Sequence, residues 1–191
     1  MGHGSAVTNP WANLPRTGPF VLPEDRLLVN AINRTAKPDY QVVLEVLPVP
    51  FLGSLESAKV ILLAKNPGIV KQDFEIFHSS NVNDKDYVVQ NRRTLTFESM
   101  PPFFYLGRKF SHTMGYKWWS DRLADVVRRC GHDRVAAKLM CIQYFPYHSK
   151  KYRDSNPIIP SQRYSFDLNR SPGETRMSCS VAHGGLIGAS V

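Results

Sequence analysis

The chain has 191 residues and a mass of 21.6 kDa, which fills one domain and leaves little for a second. Hydrophobic residues make up 42% and charged residues 21%, so there is apolar mass for a core and wholesale disorder is excluded. The net charge of +8 is unevenly spread: residues 101–170 hold 13 basic and 5 acidic side chains, whereas residues 1–100 hold 10 of each. Three cysteines without a CxxC spacing argue against a disulfide framework or a structural zinc site. No apolar run is long enough for a membrane span. The start, Met-Gly-His-Gly-Ser, lacks the order of a signal peptide, so a cytoplasmic chain with no membrane partner is expected.

Residues 1–22 carry Gly, Pro, Asn and Thr without an apolar period and are read as a flexible arm. Pro23 opens a helix with Glu24 and Asp25 in its first turn and an apolar stripe of Leu27, Leu28, Ala31 and Ile32. Pro48, Pro50 and Gly53 then break the chain. Val60 to Ala64 is a short run of branched residues bounded by turn formers, the pattern of a strand covered on both faces. It switches abruptly to Asn66-Pro67-Gly68, a tight polar loop at the strand's carboxyl end, where open α/β sheets bind ligands. Residues 69–113 give no clear period. A helix is predicted from Trp118 to Cys130, with Trp119, Leu123, Val126, Val127 and Cys130 on one face and Gly131 closing it. Trp118 and Trp119 are read as core and rim of that helix, not as a stacking platform. Lys138 to Phe145 is a second buried strand ending in a turn, and Ser161 caps a last helix through Leu168. Strand-to-loop units separated by a helix predict an α/β domain over residues 23–170. Glycine-rich phosphate loops are missing, which argues against dinucleotide-binding and P-loop proteins.

Two blocks carry chemistry. In Asn66-Pro67-Gly68 the Pro and Gly fix the loop, so the preceding amide is aimed in one direction and can hold a water. Taken alone the triplet is also an ordinary turn. Residues 143–153 interleave Gln143, Tyr144 and His148 with Ser149, Lys150, Lys151 and Arg153, a mixture suited to stacking on bases and contacting phosphates. A strand end followed by a solvated basic loop has the same composition.

Order, spacing and common position at strand ends place the two blocks across one crevice. With Pro50-Phe51-Leu52-Gly53, the stretch from Ala58 to Gly68 and that from Leu139 to Pro146, the sequence resembles the uracil-DNA glycosylase superfamily, in its mismatch-specific and single-strand-selective branches. That resemblance implies a three-layer α/β/α sandwich around a short, mainly parallel sheet, and hydrolysis of the N-glycosidic bond of a flipped uracil or related damaged base. By resemblance Asn66 positions the water, and the chemistry needs no metal or other cofactor; His148, which read singly is a surface or structural histidine and belongs to the earlier strand, is the candidate to stand in for the family's catalytic His. Lys65, Pro67, Gly68, Phe77, Gln143 and Tyr144 would bind the base, with Gln143 standing where the family usually has Asn. Ser149, Lys150, Lys151 and Arg153 would meet the backbone of DNA, single-stranded or mismatched, with the protein acting as a monomer. The family's late His-bearing loop has no recognisable counterpart; His183 is the only late histidine. A non-catalytic nucleic-acid or nucleotide-binding module of the same fold is the alternative, and an α/β protein acting on a small metabolite is a third reading. Residues 171–191, rich in Gly and Ser, are read as an irregular tail: a genuine flexible end, or the product of a truncation or a shifted reading frame near residue 169.

Overall fold

A computed structural model describes residues 8–97, 102–170, 177–182 and 185–190, with side chains described through residue 168. The chain is mixed helix and strand. Its helices are α1 (Arg26–Thr35), α2 (Lys71–Phe77), α3 (Val82–Thr96), α4 (Met114–Arg122), α5 (Ala124–Cys130), α6 (His132–Lys138) and α7 (Gln162–Arg170). Its strands are β1 (Phe51–Gly53), β2 (Val60–Ala64), β3 (Leu139–Gln143), β4 (Met177–Ala182) and β5 (Gly185–Ser190).

The strands form one sheet in the order β1-β3-β2-β4-β5. β2 runs parallel to β3 and β4, and the two outer pairs are antiparallel. Side chains on a strand alternate faces, and here both faces are covered. Ile61, Met140 and Ile142 join one apolar cluster with Val29, Ile32 and Leu95, while Leu62, Leu139 and Cys141 join another with Ile76, Trp119 and Val135. That is why β2 and β3 read as continuous apolar runs, not as alternating ones.

Several expectations are corrected. Residues 8–22 of the supposed arm are packed: Trp11, Leu14, Phe20, Val21 and Leu22 are buried, and Trp11 meets Tyr147 edge-on with ring centroids 5.9 Å apart. In α1 the buried pair is Val29 and Ile32, while Leu27 is 76% exposed. The predicted helix from Trp118 to Cys130 is two helices. Leu123 stands between them with φ −100° and ψ 6°, its side chain buried; Val126 and Cys130 lie at the surface. Gly131 does close α5, at φ 84°. Residues 177–182 and 185–190, read as irregular tail, are strands whose ladder is made by backbone groups and needs no apolar period. Among the described residues no helix is long and apolar enough to cross a membrane.

Gly53 accounts for the glycine of the Pro50-to-Gly53 lead-in. It pairs with Met140 at φ 90°, and a Cβ there would stand 2.3 Å from the Leu139 carbonyl oxygen. Backbone on that side cannot yield without breaking the β1–β3 ladder. Gly53→Ala is expected to cost about 3 kcal/mol of unfolding free energy in urea, from the left-handed strain and the overlap together. A cost below about 1 kcal/mol would mean that β1 does not hold this register.

Candidate active site

The carboxyl ends of β2 and β3 lie side by side, with Ala64 in register with Gln143. The loops that follow are laced together. Tyr144 N–H donates to the Ala64 carbonyl (2.7 Å), Phe145 N–H to that of Lys65 (2.8 Å), and Ser149 N–H to that of Pro67 (3.4 Å). A parallel pair therefore brings Asn66 and the 143–149 segment to one crevice, as their order and spacing predict. Above it opens a cavity of about 710 Å³, a size typical of small-molecule sites.

Of the residues singled out in the sequence, Lys65, Asn66, Pro67, Gly68, Phe77, Gln143, His148, Lys150 and Lys151 line this cavity; Tyr144, Ser149 and Arg153 do not. Tyr144 instead turns to Tyr152 and Phe166. Ser149 is buried, and its hydroxyl accepts from Asn66 Nδ2 (2.9 Å) and donates to the Lys151 carbonyl (2.9 Å). It is thus an anchor for Asn66 and has no proton left for a phosphate. Asn66 Nδ2 also donates to the Pro67 carbonyl (3.0 Å), so both amide hydrogens are committed and Oδ1 is the end these contacts leave unused. Which end is nitrogen follows from this network of acceptors.

Gln143 is the site's unsatisfied group. Its side chain is buried at 5% exposure, and its Oε1 has no hydrogen-bond partner among the described residues. A buried acceptor left unmatched costs about 1–3 kcal/mol, so folding alone does not favour an amide here.

His148 corrects another expectation. Its Nδ1 lies 2.7 Å from the Gly68 carbonyl oxygen and its Nε2 3.1 Å from that of Leu47. With both nitrogens against backbone oxygens, neither is left to trade a proton with a substrate. Burial holds the imidazole below its usual pKa, opposed by the Gly68 contact, by Asp73 and by the Leu47 contact. The neutral ring has one N–H, which donates to one of these carbonyls while its other nitrogen packs against the second, so His148 sits between the Asn66-Pro67-Gly68 loop and the segment carrying Leu47.

The lysines are less bare than the sequence implies. Lys65 pairs with Asp154 (2.9 Å), and Lys151 and Lys150 approach Asp39 (3.1 and 3.8 Å). These are exposed pairs, worth about 0–1 kcal/mol, that a polyanion can displace.

Sequence reasoning missed the far wall. Asp73, Tyr87, Asn91, Tyr105, Gly115 and Trp118 line the cavity from α2, α3, a short 3-10 turn and α4. Asn91 accepts from the Tyr105 hydroxyl (3.0 Å) and donates to the Tyr87 carbonyl (3.0 Å). Gly115 lies so close that a Cβ would stand 2.8 Å from the Tyr105 ring. Burial pushes the hydroxyls of Tyr87 and Tyr105 well above their usual pKa, so they stay neutral. Asp73, largely buried, is likewise lifted by desolvation, opposed by the Val70 N–H (2.8 Å) and by His148. His183 lies outside the described residues. No group of three or more His, Cys, Asp or Glu side chains that could hold a metal occurs among the described residues.

Comparison of the chain with protein-family models, with curated proteins and with solved structures returns no match.

Proposed function

We propose that the chain hydrolyses the N-glycosidic bond of a flipped uracil or related deaminated base in DNA, with Asn66 positioning the water. The observation that carries the reading is the buried, unpartnered Oε1 of Gln143, a residue that lines the same cavity as the Asn66 loop. An acceptor of that kind is completed by an N–H donor, and the imide N–H of uracil flanked by carbonyls is such a group. Gln143 Oε1 accepts a hydrogen bond from that N–H, and its Nε2 is a donor for a neighbouring carbonyl. Phe77 gives an aromatic surface for stacking, the Trp118 ring being already covered by the Arg122 guanidinium 3.9 Å from its centroid, and Lys65, Lys150 and Lys151 at the rim meet phosphates once Asp39 and Asp154 are displaced.

The three-layer α/β/α sandwich belongs to the same reading and is supported by the apolar clusters on the two faces of the sheet. A monomer acting on single-stranded or mismatched DNA in the cytoplasm completes it, because extruding a base costs least there. One observation favours the alternative, a non-catalytic nucleic-acid or nucleotide-binding module. His148 is the only histidine among the described residues lining the cavity, and both its nitrogens are spent, so no imidazole is there to stabilise the departing base.

Base release from uracil-containing single- and double-stranded oligonucleotides separates the two. The enzyme frees base; the module binds, with strong salt dependence, and frees none. Gln143→Leu sharpens the test. Removing the unmatched acceptor is expected to leave stability unchanged or raise it by about 1 kcal/mol, while base release falls by about 10²-fold. A variant that loses stability and keeps activity would show that Gln143 is a structural amide.

A further inference from the structure

We propose that Asp73 is a second catalytic residue of this cavity: the carboxylate that takes the proton from the attacking water. The inference rests on the glycosylase reading and adds a base to it.

Asp73 is the only carboxylate among the described residues lining the cavity. It stands in the first turn of α2, seven residues beyond Asn66, and one of its oxygens accepts the Val70 N–H at 2.8 Å. That bond fixes the side chain and leaves the second carboxylate oxygen for another partner. His148, Tyr87 and Tyr105 all interact with its charge, from the turn after β3, from α3 and from the 3-10 turn. On its own helix, Lys71 and Glu75 pair with each other at the surface, and Lys150 and Lys151 line the cavity farther along the chain. The neighbourhood is thus one imidazole, two neutral phenols and rim lysines, with no second acid lining the cavity among the described residues.

Asn66 lacks a basic group, so its amide oxygen can hold a water and cannot accept the proton that leaves it. An amide and a carboxylate in one cavity supply both needs. The water oxygen forms the new bond to the sugar carbon, and the N-glycosidic bond breaks with its electron pair going to the base. One water proton moves to Asp73, and the departed base later takes up a proton, returning Asp73 to its ionised state. Burial, which lifts Asp73 above the ordinary carboxylate range, brings it nearer the working pH and makes it the stronger base.

The decisive measurement is single-turnover base release from a uracil-containing single strand between about pH 5 and pH 9. For the native protein the rate is expected to climb with pH through the raised Asp73 ionisation, since the protonated carboxyl accepts nothing, and then to level off. Asp73→Asn keeps the size and the oxygen that accepts the Val70 N–H. It is expected to melt within a few degrees of the native protein, bind the oligonucleotide equally, release base about 10²–10⁴-fold more slowly and lose the acid limb. Asp73→Ala is expected to regain part of the rate in formate. Asp73→Asn with native rate and acid limb would overturn the role of Asp73 alone. A loss of rate matched by equal losses of binding and melting temperature would make it a helix cap. A native protein that binds DNA and releases no base would overturn the glycosylase reading itself.

Discussion

Asp25→Ala is expected to lower the unfolding free energy by about 3–5 kcal/mol, measured in urea with an unchanged m-value. Asp25 is fully buried. One of its oxygens accepts from the Tyr147 hydroxyl at 2.7 Å and the other from the Ser161 N–H at 3.0 Å. The Tyr147 oxygen in turn accepts the Leu22 N–H at 3.1 Å. One carboxylate thereby knits the start of α1, the turn after β3 and the start of α7. Truncation leaves a backbone donor and a hydroxyl buried without an acceptor, and each costs more than the bond it made. Asp25→Asn retains one acceptor and must present its NH₂ to a donor, so about 1–3 kcal/mol is expected. Tyr147→Phe should couple with it in a double-mutant cycle, because the two share one bond. The effect reaches the site through the chain: Tyr147 immediately precedes His148 and Ser149, which hold the Gly68 carbonyl and the Asn66 amide. An Asp25→Ala protein within about 1 kcal/mol of the native one would mean that the three segments are held by packing alone.

What was legible in the sequence follows from which forces leave a periodic trace. β2 was readable to the residue because a strand covered on both faces needs branched residues throughout, and Val60 to Ala64 has turn formers on either side. The meeting of Asn66 and Gln143 was readable because parallel neighbours place their following loops at one edge. Helix α3 was not, because its buried face is Tyr87, Asn91, Thr94 and Leu95, half polar, so no apolar stripe marks it. The stretch 69–113, which shows no period, hid Asp73, Tyr87, Asn91 and Tyr105. Residues 8–22 escaped because a segment packed in non-repeating conformations buries Trp11 and Phe20 without any period. The single helix predicted from Trp118 is two because the backbone leaves helical geometry at Leu123, a break that residues of ordinary helix propensity do not mark. His148 and Ser149 show a different limit: residue type suggested catalysis and phosphate contact, but their polar atoms are spent on holding a loop.

Asn66→Ala is expected to slow base release by about 10²–10³-fold, comparable with removing one preorganised polar group from an enzyme site, while oligonucleotide affinity changes little. The amide donates to Pro67 and to Ser149, and Ser149 is itself held by the Lys151 carbonyl, so the orientation of Oδ1 is set before any substrate arrives. A water held by that oxygen has already lost the freedom that would otherwise oppose its attack. Ser149→Ala removes one of the two restraints and leaves the amide in place, so a loss of about 10-fold is expected. In the Asn66→Ala background the same change should do nothing, because residues acting as one unit are not additive. Equal and additive effects of the two substitutions would show Ser149 acting on substrate directly. Unchanged base release in Asn66→Ala would move the water elsewhere in the cavity and remove the resemblance to an Asn-Pro-Gly glycosylase as a guide to its chemistry.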